Sequence, residues 1–292
     1  MTRASDKRFR AALVQLRSGR DADANVRSAE ALIRRAAEGG ADYVQTPENT
    51  ALMELKPELV LEAAETEEAS APLARFRALA SELGIFLHVG SLAIRLDGTR
   101  VANRSYLIDP EGRIAARYDK LHLFDVDLAG GERYRESDHA RPGATAIVAE
   151  LPFGRLGLSI CYDLRFAVLY RALALAGAEF IAVPAAFTKQ TGEAHWHVLL
   201  RARAIETGTF VLAAAQGGFH ENGRSTFGHS LIVSPWGEIL AEGGEEPGVV
   251  FADIDLAASA EARARIPALK HGRDFEVAIA EPLPSSSRKE AS

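Results

Sequence analysis

The sequence predicts one α/β domain in which crossover units are mixed with antiparallel hairpins. Three observations predict it. Short apolar runs of strand character alternate with segments whose apolar residues recur at helical spacing. Turn signals at Asp97-Gly98 and Pro110-Glu111-Gly112 separate three successive strand-like runs. No linker-like stretch and no short repeat divides the 292 residues.

The elements follow in order. Phe9 to Leu16 reads as a buried strand. Asp23 to Glu38 reads as a helix, with Ala29, Leu32, Ile33, Ala36 and Ala37 on one face, Asp21 or Asp23 as its cap and Gly39-Gly40 as its end. A short strand, Asp42 to Gln45, runs into Thr46-Pro47-Glu48, and a second helix covers Ala71 to Leu83. Ile85 to Arg95, Val101 to Ile108 and Arg113 to Tyr118 form an antiparallel meander. Leu121 to Gly143 reads as a long polar loop with glycines at 130 and 131, and loops of that length are often functional. Strands return at Thr145 to Glu150 and Arg155 to Ile160, followed by a helix from Arg165 to Ala176 and a strand from Glu179 to Val183. A helix from His195 to Thr207, a strand from Thr209 to Ala215 and a Gly-rich loop from Gln216 to Gly228 come next. His229 to Val233, Gly237 to Ala241 and Val249 to Ile254 are the last strands, and Leu256 to Ile266 is the last helix. The domain is expected over residues 8–275, with 276–292 as a mobile tail.

Composition narrows the function classes. The chain is 47% hydrophobic and 25% charged, ordinary for a globular protein. Its net charge of −6 argues against a general nucleic-acid binder, which needs a basic footprint. No secretory signal and no apolar membrane span is visible, and one cysteine precludes an intrachain disulfide. A cytoplasmic protein is the expectation.

That cysteine, Cys161, ends an apolar strand just before a helical pattern, in Leu156-Gly157-Leu158-Ser159-Ile160-Cys161-Tyr162-Asp163-Leu164-Arg165-Phe166. One reading is a buried structural thiol, common for free cysteine. The other is a nucleophile on a sharp turn, its sulfur near helical N–H groups that favour the thiolate, beyond the carboxyl ends of the strands. A cysteine nucleophile needs a base, usually histidine. None of the eight histidines is placed beside Cys161 by sequence. His195-x-His197 is a poor metal pair, and no cluster has zinc spacing. No G-x-S-x-G elbow, P-loop or G-x-G-x-x-G is present. Glu48 and Lys120 each follow a predicted strand, where either alone reads as a surface charge.

Together the three form a known constellation. Thr46-Pro47-Glu48-Asn49, Arg117-Tyr118-Asp119-Lys120-Leu121-His122-Leu123 and Ile160-Cys161-Tyr162-Asp163-Leu164-Arg165-Phe166 resemble the nitrilase superfamily of carbon–nitrogen hydrolases, in order and spacing. Further similar blocks include Pro184-Ala185-Ala186-Phe187, Thr191-Gly192, His195-Trp196, Arg201 to Glu206 and Gly228-His229-Ser230. The stretch Ala213 to His220 with Gly228-His229-Ser230 looks most like the deaminated glutathione amidase branch, with omega-amidase as a close relative.

The resemblance implies a four-layer α-β-β-α sandwich, assembled as a homo-oligomer (dimer or larger) through helices on one face, with no metal or organic cofactor. It implies a small-molecule amide substrate and a Glu48–Lys120–Cys161 triad. Glu48 is then the base, Cys161 the nucleophile, and Lys120 with the Tyr162 N–H the oxyanion site. Glu136 matches a second active-site glutamate that orients Lys120 and the amide. Arg165 is expected to hold a substrate carboxylate, its alternative being an ion pair with Asp163; Phe187 and Thr191 match the substrate wall. Arg201, Arg203 and Glu206 read as internal salt bridges and Trp196 as core or pocket wall. Because Glu48 must act as base and then acid, burial is expected to raise its pKa. Two departures stand out: Ala167-Val168 where relatives often have Pro-Glu, and polar Gln45-Thr46 where many are apolar. N-carbamoyl amino acid hydrolysis and nitrile hydrolysis use the same triad, and a catalytically silent oligomeric binding protein is the remote alternative.

Overall fold

In the computed structural model, which describes residues 7–128 and 131–280, β1 (Arg8–Gln15) shows how the layers are built. Phe9, Ala11 and Leu13 enter one apolar cluster, Ala12 and Val14 another. Alternate residues of a strand face opposite sides, so this strand is covered on both.

The first half continues with α1 (Ala22–Glu38), β2 (Tyr43–Gln45), α2 (Pro57–Ala63), α3 (Ala71–Leu83), β3 (Phe86–Arg95), β4 (Val101–Ile108) and β5 (Ile114–Asp119). Asp21 caps α1 by accepting from the Ala24 N–H at 3.0 Å. Gly84, at φ 64°, closes α3. The sequence reading passed over α2, which opens on a proline at its first turn and buries only Val60. The predicted polar loop contains a small hairpin, β6 (Asp125–Asp127) with β7 (Arg133–Arg135), and a 3-10 turn, Glu136–Asp138. Gly130 lies outside the described residues.

The second half comprises β8 (Val148–Leu151), β9 (Gly154–Leu158), a 3-10 turn (Cys161–Arg165), α4 (Ala167–Leu175), β10 (Phe180–Ala182), α5 (Lys189–Thr207) and β11 (Phe210–Ala213). Then come β12 (Gly217–Phe219), β13 (Ser225–Phe227), β14 (Leu231–Val233), β15 (Ile239–Glu242), β16 (Gly248–Asp255) and α6 (Ala257–Arg265). Helix α5 begins at Lys189, not at His195 as expected, because Thr188 supplies the cap, accepting from the Thr191 N–H at 3.3 Å. The expected Gly-rich loop pairs as the hairpin β12–β13. Of the expected tail, residues 276–280 carry no helix or strand, and 281–292 lie outside the described residues.

Two six-stranded sheets result, ordered β16-β1-β2-β3-β4-β5 and β15-β14-β11-β10-β9-β8. Helices α1 and α3 share an apolar cluster with the first sheet, and α4 and α5 share one with the second. Phe9, Leu13, Tyr43 and Leu107 of the first sheet meet Leu158, Phe180 and Leu212 of the second in the central layer. This is the expected α-β-β-α sandwich.

Two buried histidines, one beside that layer and one in the β12–β13 hairpin, carry a testable consequence. His88 bonds Tyr43 Oη at 2.7 Å and Ser105 Oγ at 2.6 Å, and burial holds its pKa down at about 3. Burial also holds His220 at about 4. An unfolded histidine takes up its proton at about pH 6.5, so the unfolded chain binds more protons below that value. Stability should therefore fall as pH drops from about 6.5 toward 4.5, before most carboxylates titrate. Urea unfolding at pH 7 and pH 5 checks this; equal free energies would refute it.

Candidate active site

The carboxyl ends of three strands carry the predicted triad. Strand β2 runs parallel to β1 and β3 and leads through Thr46-Pro47 to Glu48. Strand β5, antiparallel to β4, leads to Lys120. In the second sheet β9 leads to Cys161. Ligand sites collect beyond strand carboxyl ends because the chain must turn there and the helices leave room.

Each position is built locally. At Gly90 an added Cβ would lie 2.2 Å from the Thr46 carbonyl oxygen and 2.4 Å from that of Pro47, so only glycine lets β3 pass this close behind Glu48. The Gly90 N–H donates to Thr46 Oγ1 at 3.0 Å, and Gln45 Nε2 donates across the sheets to the Leu212 carbonyl at 3.2 Å. The polar Gln45 and Thr46 thus have partners, which accounts for that departure from the family pattern. Gln216 Nε2 donates to the Glu48 carbonyl at 3.0 Å. Cys161 sits at φ 49°, a left-handed conformation rare for a side-chain-bearing residue, and its N–H donates to the Pro184 carbonyl at 2.9 Å. Such strain typically costs about 1–3 kcal/mol and collects at functional turns.

The side chains converge. Lys120 Nζ donates to Glu48 Oε1 and to Glu136 Oε2, both at 2.8 Å. The Ala186 N–H donates to Glu48 Oε2 at 3.0 Å. Glu48 and the thiol are close enough to perturb each other's titration. The Phe124 N–H holds Glu136 Oε2 at 2.7 Å. The Tyr162 N–H lies second in the 3-10 turn, among the amides that a helix start leaves without an internal acceptor.

Electrostatics corrects two expectations. Burial pushes the Glu48 carboxyl up, as expected, but Lys120, the Cys161 thiol and Arg224 outweigh it and the pKa is lowered. The resting group is a carboxylate. Burial, with Glu48 beside it, pushes the Cys161 thiol well above its usual value, and Lys120 offsets only part of this. The expected helix-stabilised thiolate is therefore absent: Cys161 heads a five-residue 3-10 turn, whose field is small, and faces a buried carboxylate. Burial alone would discharge Lys120, but Glu136 and Glu48 raise its pKa and keep it an ammonium. The group that Lys120 holds beside the sulfur is the Glu48 carboxylate and not a histidine.

Glu48, Lys120, Glu136 and Cys161 line a cavity of about 150 Å³. A smaller adjoining recess is lined by Cys161, Tyr162, Arg165, Phe187 and Thr191. The structure thus brings all eight predicted residues to one place. Arg165 stands 5.4 Å over the Phe187 ring and makes no pair with Asp163. That aspartate is committed to Tyr118 Oη at 2.6 Å, His122 Nδ1 at 2.7 Å and the Ile160 N–H at 2.9 Å. Arg203 bonds Glu206 at 3.0 Å, whereas Arg201 goes to the Gly237 carbonyl. Trp196 is core, donating to the His229 carbonyl at 2.8 Å.

Sequence reasoning missed two side chains at the site. Asn103 Nδ2 donates to Glu48 Oε1 at 3.0 Å and Glu136 Oε1 at 2.8 Å, tying the two acids together. Arg224 borders both recesses. Asn103 lies inside an apolar strand run, where an asparagine with no surface role was a readable signal; Arg224 had none. Away from the site, His197, His229 and Glu242 lie with their donor atoms within 4.8 Å of one another, which the spacing did not reveal. Glu242 Oε1 already bonds both imidazoles, at 2.9 and 2.8 Å, so the group ties α5 to β15.

A buried carboxylate–ammonium–thiol cluster between two sheets, with a cavity beside the sulfur, is an arrangement suited to hydrolytic chemistry. The chain belongs to the carbon–nitrogen hydrolase family, whose pattern matches residues 10–264. Within that family it is 41% identical over 270 residues to the deaminated glutathione amidase of Yersinia enterocolitica, covering 91% of this chain and 94% of that one. It is 38% identical over 272 residues to the human protein of the same name, covering 90% and 81%. Among solved structures, the Caenorhabditis elegans NitFhit protein superposes with a TM-score of 0.84 at 37% identity, covering 91% of this chain and 65% of that one. An amidase from Nesterenkonia sp. AN1, solved with an acetamide moiety added covalently at its active-site cysteine, gives a TM-score of 0.76 at 29% identity, covering 91% and 97%.

Proposed function

We propose that this protein is an amidase that cleaves the amide of a small carboxylate-bearing 2-oxo acid, with deaminated glutathione as its first substrate, through a Cys161 thioester. The observation that carries the reading is the convergence of Glu48, Lys120 and Cys161 on one cavity, with the Lys120 ammonium 2.8 Å from the Glu48 carboxylate. The similarity to deaminated glutathione amidases supports the substrate.

In this mechanism Glu48 takes the thiol proton as the sulfur forms a bond to the amide carbon. The oxyanion lies between Lys120 and the Tyr162 N–H. Glu48 passes its proton to the leaving nitrogen, the C–N bond breaks, and ammonia or an amine departs. Water then attacks the thioester while Glu48 takes its proton. The C–S bond breaks, and Glu48 returns the proton to sulfur as the acid product leaves. The lowered resting pKa keeps Glu48 deprotonated and able to accept the thiol proton, and that uptake makes Glu48 an acid only afterwards. Glu136 and Asn103 orient Lys120 and Glu48; Arg165 holds a substrate carboxylate against the Phe187 and Thr191 wall.

The test is kcat/KM for deaminated glutathione against α-ketoglutaramate, an N-carbamoyl amino acid and a nitrile. A preference of at least about tenfold for deaminated glutathione is expected, the size of a modest difference in pocket contacts. Preference for any other member of the panel would replace the substrate assignment. The pH profile is a separate prediction. Glu48 is held low, and Cys161 and Lys120 are held high. kcat/KM should stay flat from about pH 6 to 9, because the active form needs the carboxylate, the thiol and the ammonium together. A bell centred near neutrality would count against a carboxylate base.

The proposal extends to a cytoplasmic homo-oligomer. Val168 and Leu175 of α4 and Val198 and Ile205 of α5 are exposed apolar residues on one pair of helices, which supports assembly through that face. Ala167 and Val168, where relatives often have Pro-Glu, lie on this exposed surface. Sedimentation equilibrium checks it, and a monomer would end this part of the reading.

A further inference from the structure

We infer that Arg224 is a second anion-binding position of the site, beside Arg165, and selects amides that carry a carboxylate. The inference rests on the amidase reading for the identity of its ligand. Arg224 stands at the junction of the two recesses, bordering both together with Cys161 and Phe124.

Its guanidinium is charged, held and under-used. Its one hydrogen bond among the described residues runs from Nη2 to the Ala186 carbonyl, and Nε is buried without a partner. No carboxylate of the described residues pairs with it. The neighbouring cations differ. Arg133 and Arg135 both pair with Asp127, and Lys120 is shared by two glutamates. An arginine beside a buried cavity with N–H groups to spare matches a carboxylate in shape and charge. A buried donor left unpaired costs free energy that a bound carboxylate restores.

The same pattern recurs around the cavity. Four buried side-chain atoms lack partners among the described residues, and three of them, Arg224 Nε, Asn103 Oδ1 and His139 Nδ1, belong to residues lining this cavity. Donors and acceptors left open around one space point to a polar ligand. The position of Arg224 is also fixed in advance. Its N–H donates to Asn222 Oδ1 at 3.0 Å, its carbonyl accepts from the His220 N–H at 2.8 Å, and its guanidinium lies 5.0 Å over the Tyr134 ring. Gly192 permits this, because a Cβ there would meet Phe227 of the same hairpin at 2.2 Å.

Arg224 also holds Ala186, whose N–H serves Glu48, so a purely structural role must be separated from recognition. The experiment compares wild type, Arg224→Gln, Arg224→Lys and Arg165→Gln on α-ketoglutaramate and on an uncharged amide of equal chain length. Binding of 2-oxoglutarate is measured in parallel by calorimetry. Arg224→Gln should raise KM for the charged amide by about 30-fold or more, as removing one partner of a buried charge pair does. The rise for the uncharged amide should be at least about tenfold smaller. Arg224→Lys, which keeps the charge without the fork, should fall between. 2-Oxoglutarate affinity should fall in step with the charged amide. Equal losses on both amides, or charge selectivity lost in Arg165→Gln and kept in Arg224→Gln, would overturn the assignment. If wild type turned over neither amide nor deaminated glutathione, the amidase reading would fail, while the 2-oxoglutarate titration would still decide Arg224.

Discussion

Replacing Cys161 by alanine is expected to cut amide hydrolysis by at least about 10⁴-fold, the scale seen when a nucleophile is removed and only binding and the oxyanion site remain. The loss should be catalytic. Cys161 is small and buried, and its backbone conformation is set by the Pro184 carbonyl on one side and by the Asp163 bond to the Ile160 N–H on the other. Alanine removes one sulfur atom and leaves both. Circular dichroism and urea unfolding should place the variant within about 2 kcal/mol of wild type, since the cavity created is small. Glu48→Gln offers the complementary experiment. The thiol stays but its proton acceptor is gone, so a slowly formed acyl-enzyme should outlive the wild-type one and be visible by intact-protein mass spectrometry. Wild-type turnover in Cys161→Ala, with identity confirmed by mass, would falsify covalent catalysis at this residue.

Lys120→Met should cost both activity and stability. Lys120 is 2% exposed and lies 2.8 Å from oxygens of two acids. Loss of an oxyanion donor typically lowers kcat by about 10²–10³. Here a second loss adds to it. Without the ammonium, burial and the neighbouring Glu136 push the Glu48 pKa upward, so the base is protonated near neutrality. The residual rate should therefore rise with pH between about 6 and 8 in the variant, where wild type is flat. A buried and a half-buried acid left with Asn103 as their shared donor should also lower stability by about 3–5 kcal/mol at pH 7, less at lower pH as they take up protons. A variant as stable as wild type, with an unchanged pH profile, would mean that Lys120 is not the charge that governs this pocket.

Much of this was legible along the chain because strands and turns are local. The apolar run from Phe9 to Leu16, the cap at Asp21 and the glycine at 84 state their own geometry. The three motif positions were readable as strand ends, and their joint meaning came from the family resemblance. Other features were not legible. The start of α5 depended on a single threonine cap. The polar segment after Lys120 hid a hairpin that brings Glu136 back under Lys120 and next to Asn103, a contact between residues 33 apart. The pairing of His197, His229 and Glu242 joins three elements with no motif in common.

By itself the sequence determined the order of most elements, the burial of the first strand, and that Glu48, Lys120 and Cys161 stand at strand ends, since each follows from backbone periodicity and residue type. Only the tertiary structure decided which way Glu48 titrates, that Cys161 rests as a thiol, and that Arg224 lies uncommitted beside it. A pKa and an open hydrogen-bonding group are sums over neighbours in space, and those neighbours come from strands, turns and hairpins far apart along the chain.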